Sequence, residues 1–275
     1  MSIRRRFEFL KGVWQSYSKD HGSLLAAAVS FYAFLSLFPL LLLAVGVLGF
    51  VLRSPQHAEA VLTRMIGSYV VEPNTMSIVQ ETIHGRDAAT GIGLIALLWT
   101  GTSALAMLEQ AMNLAWKTTE RRSFFRRRMI ALFTLLVSGL LLALSLGATT
   151  LLHAVSVSNS AIASNLGLVW HLLAYLLPLL ASIALFAIMF KLLPSNPVMW
   201  RTAVVGGVFS GILWEVAKHG FTYYAVHFAN YSKVYGSLAS VILLMVWIDY
   251  TAVITILGAE FASAWGERHG DRAAA

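Results

Sequence analysis

Long uncharged apolar runs alternate along this chain with short connections that hold nearly all of its charge. The first run, Leu24 to Leu52, has 29 residues without a charged side chain. A helix needs roughly 20 mostly apolar residues to cross a bilayer. Six stretches satisfy that length: 24–52, 90–110, 129–157, 167–190, 201–225 and 235–265. The longer ones are expected to tilt or to extend beyond the hydrocarbon. The first is too long for a signal-peptide core, and Arg53-Ser-Pro follows it instead of a small-residue cleavage site. It is expected to remain as a membrane helix. The pattern predicts an all-α polytopic protein, a six-transmembrane-helix bundle forming a single membrane domain over 1–275.

Two further segments carry helical periodicity. Over 1–22, a cytoplasmic amphipathic segment, Phe7, Leu10, Trp14 and Tyr17 form one apolar stripe beside Arg5, Lys11 and Lys19. It reads as a helix on the inner membrane surface or as one packed on the cytoplasmic end of the bundle. In the 54–89 connection, Val61, Leu62, Met65, Ile66 and Tyr69 fit one helix face. Ile78, Val79, Thr82 and Ile83 fit another, with Pro73-Asn74 between them. Short helices in this first external loop are expected.

Composition sharpens the class. Hydrophobic residues make up 58% and charged residues 12%, where a soluble domain has about half and about a quarter. That little charge cannot cover a water-facing surface. The absence of cysteine rules out disulfides, thiolate metal sites and cysteine nucleophiles.

The placement of the charge sets orientation. Arg4, Arg5, Arg6, Lys11 and Lys19 precede the first span; Lys117, Arg121, Arg122, Arg126, Arg127 and Arg128 follow the second. Lys191, Arg201, Arg268 and Arg272 fall on the same side, against Arg53, Arg64, Arg86 and Lys233 on the other. The positive-inside rule then puts both termini in the cytoplasm. The RRSFFRRR stretch reads as a topology signal in contact with anionic headgroups. No base-stacking platform accompanies it, so no nucleic-acid partner is expected.

Some charges lie inside the runs. In GILWEVAKHG (211–220), Glu215 shares a helix face with Lys218 and His219. Buried together, such a pair is less unfavourable than either charge alone. Asp249 and Glu260, 11 residues apart in the last span, share a face, with Glu260 near the cytoplasmic boundary. Glu109 and Asn113 stand at the inner end of the second span. Ionisable groups at such depth face the bundle interior or water and are site candidates. They read as structural locks, as a solute or lipid pathway, or as a proton relay. Pro39 and Pro178 are expected to kink their helices and free backbone carbonyls, which Ser36 would help satisfy in the first span. Gly207-x-x-x-Gly211 and the series Gly139, Ala143, Gly147 permit close helix contact. Trp200, Trp265 and Tyr223–Tyr224 suit the membrane interface.

Enzyme signatures are scarce. No two histidines sit four apart with a glutamate between them, and neither a Walker loop nor a Gly-x-Ser-x-Gly elbow occurs. No catalytic residue, cofactor or metal is expected.

Three stretches resemble the YihY/BrkB family of bacterial membrane proteins: HGSLLAAAVSFYAFLSLFPLLL (21–42), LLPSNPVMWRTAVVGG (192–207) and YSKVYGSLASVILLMVWIDYTAVITILGAEFASA (231–264). The resemblance implies a six-helix inner-membrane protein with a suggested role in lipid or envelope transport. It also implies that the ribonuclease BN label once given to some members is mistaken. The family's recurring polar positions fall on Ser36 and Pro39, the Glu215–Lys218 region, Tyr235-Gly236-Ser237 and Gly258-Ala259-Glu260. Asp249 departs from the neutral or aromatic residue expected there. Three functions follow: a transporter of a lipid or other amphiphile, a scaffold with an envelope protein partner, and, with only the basic loop in its favour, an RNA-processing enzyme.

Overall fold

The computed structural model describes residues 3–51, 86–118, 167–227 and 238–271, with isolated residues between 123 and 137. Six helices account for nearly all of them: α1 (Ile3–Lys19), α2 (Gly22–Val51), α3 (Arg86–Ala115), α4 (Gly167–Leu192), α5 (Trp200–His227) and α6 (Leu238–Arg268). No strand occurs among the described residues. Apart from isolated residues up to 137, the expected span 129–157 lies outside the description, as do the helices expected within 54–85, Gly139, Ala143, Gly147 and Tyr235-Gly236-Ser237.

Each long helix runs past its apolar stretch, most clearly α3. Backbone hydrogen bonding, not hydropathy, ends a helix, and it continues into polar flanks until a stop is met. The stops can be named. At the end of α3 the Thr118 N–H reaches the Asn113 carbonyl at 2.8 Å and the Lys117 N–H reaches Leu114 at 2.9 Å, with Lys117 left-handed at φ 51°. This is a Schellman closure with lysine where glycine is usual. Asp271 N–H to Gly266 at 3.0 Å closes α6 in the same way, with Gly270 at φ 73°. His21, at φ 54°, turns α1 into α2. Pro194 halts α4.

At 1.5 Å per residue, α2 and α6 are each about 45 Å long, against a hydrocarbon core of about 30 Å. Among the described residues, Val241–Arg268 is the one helix that is long and apolar enough to cross a membrane by length and composition alone. Gly22–Leu37 and Leu176–Leu192 are shorter apolar helices. Pro39 and Pro178 lie inside α2 and α4. Ser36 does not serve Pro39: its hydroxyl donates to Ala33 at 2.6 Å, one turn back, whereas the proline frees the Leu35 carbonyl.

α2 packs along α3 and α4 along α5, while α6 touches α5, α2 and α3; α1 lies across α6 and α2. The densest packing is at the end where α1 sits. There Phe190, Met112, Leu193 and Ile256 are fully enclosed, and Phe190 meets Phe186 at 6.3 Å and Trp116 at 6.2 Å. Small residues bring α5 close to both neighbours. A Cβ on Gly207 would stand 2.7 Å from the Ile183 carbonyl of α4, and one on Gly206 would stand 2.6 Å from Ala262 of α6. Away from that end, Phe31, Trp99, Leu180, Ile212, Val216 and Ile242 are exposed. So wide an apolar surface calls for a non-aqueous surrounding.

Candidate functional site

The Glu215 carboxylate lies about 22 Å along α5 from Trp200. Lys218, one turn on, places its Nζ 2.7 Å from Glu215 Oε1, and the Ser182 hydroxyl of α4 donates to the same oxygen at 3.2 Å. Helical spacing produces the first contact, and the glycine seam produces the second. Ile183 lies against Gly207 and Gly211, so the adjacent Ser182 comes within reach of α5. The Glu215 and Lys218 side chains are 23% and 35% exposed, so the pair is half-sheltered and still reachable. His219, on the adjoining arc, is exposed and stands outside the pair. Beside the charges, Trp214 meets Trp247 of α6 at 4.6 Å, and Phe221 meets the same ring at 4.6 Å. Ile212 and Val216 are exposed on the same stretch of α5. The result is a polar spot of both signs set in an apolar wall.

The other candidates form three separate groups. Asp249 of α6 accepts from the Ser30 hydroxyl of α2 at 3.1 Å. That hydroxyl is also 2.7 Å from the Ala26 carbonyl, so the two acceptors compete for its one proton. Tyr17 of α1 is buried nearby, and burial lifts its phenol above the ordinary value. Glu260, 4% exposed, lies beside the Asp20 carboxyl at the α1–α2 turn, with Lys117 and Glu267 in electrostatic range. Glu109 and Asn113 of α3 hold the loop after α4. The Ser195 N–H donates to Asn113 Oδ1 at 2.7 Å, Asn113 Nδ2 donates to Ser195 Oγ at 3.0 Å, and Ser195 Oγ lies 3.4 Å from Glu109 Oε1. A cavity of about 370 Å³ opens beside this loop, lined by Trp116, Lys117, Asn196, Thr202, Glu267 and Asp271. Lys117 crosses its mouth to Glu267 at 2.9 Å.

The structure therefore joins Glu215 to Lys218 and keeps Asp249, Glu260 and the Glu109–Asn113 pair apart from them. Asp249 and Glu260 share a face but lie about 16 Å apart along α6. No three histidine, aspartate or glutamate side chains among the described residues stand close enough to hold a metal ion. Sequence reasoning missed Ser182, Ser30, Ser195 and Asp20, the partners of the named residues. Ser30 and Ser182 were visible as hydroxyls set within otherwise apolar runs. Ser195 and Asp20 sit in turns and carried no such signal.

The family described as Virulence factor BrkB matches residues 13–275. A UPF0761 membrane protein of Tolumonas auensis is 29% identical over 267 residues, covering 96% of this chain and 86% of its own. The UPF0761 membrane protein RSc1559 of Ralstonia nicotianae is 28% identical over 243 residues, covering 86% of this chain and 54% of its own. The chain thus spans about half the length of that relative. The ribonuclease-like protein YfkH of Bacillus subtilis is 27% identical over 256 residues, covering 92% of this chain and 93% of its own. No solved structure matches.

Proposed function

The chain belongs to the Virulence factor BrkB family, whose relatives are named membrane proteins, and on that premise we propose that it carries a lipid or another amphiphile across the bacterial inner membrane. In this reading the chain crosses six times with both termini in the cytoplasm, as the lysine and arginine placement favours.

The observation that carries the reading is the Glu215–Lys218–Ser182 group. An amphiphile needs a polar contact for its head and an uninterrupted apolar surface for its chains. Glu215 and Lys218 offer charges of both signs at mid-helix, while Ile212 and Val216 continue the apolar wall beside them. A pair kept only for packing would be expected to be enclosed, as Glu260 is. No phosphate-binding loop is present, so the driving force is an ion gradient, a partner or the amphiphile's own gradient.

The test is Glu215→Gln in cells lacking the native copy, scored for resistance to detergents that breach a defective envelope. The expected result is loss of resistance at an unchanged level of protein in the membrane. Full resistance would remove the pair from the mechanism.

A further inference from the structure

Helix α1 presents two apolar faces, and the fold uses one. Val13 and Tyr17 are each 3% exposed against the bundle, and the Phe9 ring meets Phe261 of α6 at 5.3 Å. Phe7, Leu10 and Trp14 lie on the adjoining arc and are 70%, 49% and 58% exposed. At about 100° per residue these three fall within about 60° of one another. Trp14 stacks on Tyr17 at 5.5 Å, so the free face continues directly from the buried one.

Among the described residues, contacts hold α1 with that face outward. The turn into α2 is fixed by left-handed His21 and by the Tyr17 ring lying directly on Gly22. Arg268 of α6 sits 4.3 Å over the Phe9 ring. Along the exposed edge run Arg4 and Lys11, with Arg5 and Lys19 farther round. The helix has one acid, Glu8, already within 3.5 Å of Arg4.

We propose that Phe7, Leu10 and Trp14 enter the acyl–headgroup boundary of the adjacent leaflet while Arg4 and Lys11 hold the phosphates of anionic lipids. Charge selects this occupant, since a second copy would set Arg4 and Lys11 against their equivalents, whereas an anionic lipid surface neutralises them. The proposal rests on the membrane location of the chain and is independent of transport, so either can fail alone.

The chain has no native cysteine, so single cysteines report cleanly. Leu10→Cys, Phe7→Cys and Gln15→Cys are labelled with a small environment-sensitive fluorophore in the full chain. Each is reconstituted in phosphatidylcholine vesicles with and without phosphatidylglycerol. Nitroxide lipids should quench positions 7 and 10 several-fold more than position 15, and aqueous iodide should show the reverse order. Replacing Arg4 and Lys11 together by glutamine should weaken lipid quenching at position 10 only in the phosphatidylglycerol vesicles. Equal iodide access at 10 and 15, quenching that follows protein density instead of lipid, or indifference to the charge replacement would each overturn it.

Discussion

Replacing Gly207 by alanine adds one methyl at the tightest backbone approach between α4 and α5. That methyl would lie 2.7 Å from the Ile183 carbonyl oxygen and 2.9 Å from both the Ala187 nitrogen and Cβ. Two of the three are backbone atoms of a packed helix, which cannot rotate away. Overpacking of this kind costs about 1–3 kcal/mol. Alanine also favours helix over glycine by about 1 kcal/mol, which blurs a single measurement. Gly220, on the same helix, supplies the control, because nothing lies within 4 Å of its Cβ position. Both variants share the propensity gain, so their difference isolates the clash at about 2 kcal/mol. For a chain of this size that separates the thermal midpoints by about 4–8 °C. The assay is thermal unfolding of purified protein in one detergent, followed by loss of the monodisperse peak. Gly220→Ala should match or exceed the unmodified chain, and Gly207→Ala should fall below it. Equal midpoints for the two variants would refute the close approach of α4 and α5, and with it the route by which Ser182 reaches Glu215.

Substitutions at two further positions probe the end where α1 lies. Asn113→Ala leaves the Ser195 N–H without its 2.7 Å partner, a loss of about 1–3 kcal/mol if that donor stays buried. Hydrogen exchange over 193–199 should then quicken while α6 is unchanged. Lys117→Gly relieves a left-handed lysine by about 1 kcal/mol and loses an ion pair to Glu267 that is largely exposed and contributes at most about 1 kcal/mol. The glycine variant should therefore melt near the unmodified chain, whereas Lys117→Ala, with neither the ion pair nor the relief, should melt lower.

The helices were legible because a bilayer demands long apolar runs, and α2, α4, α5 and α6 fall close to where those runs lie. The Glu215–Lys218 contact was legible for a similar reason: three residues along a helix bring two side chains together without help from the fold. What escaped is tertiary. No periodicity links Ser30 to Asp249 across 219 positions or Asn113 to Ser195 across 82. Helix ends escaped because α3 and α1 stop on Lys117 and His21, where glycine would have announced the turn. Ser36 misled for a local reason: its hydroxyl found the Ala33 carbonyl first. The stripe on α1 allowed two readings, and the helix packs on the bundle through Val13 and Tyr17 while Phe7, Leu10 and Trp14 remain on its outer side.

The account depends on charges in apolar helices being held by companions, and the Glu215–Lys218 pair is its clearest case. A double-mutant cycle measures that directly, using thermal stability of Glu215→Gln, Lys218→Met and the double variant. Breaking a fully buried pair costs about 3–5 kcal/mol, and the partial exposure of both side chains reduces the expected coupling to about 1–2 kcal/mol. The account predicts that the double variant is more stable than the sum of the two single losses by that amount. Additivity within about 0.5 kcal/mol would mean the two charges do not hold each other, and would contradict it.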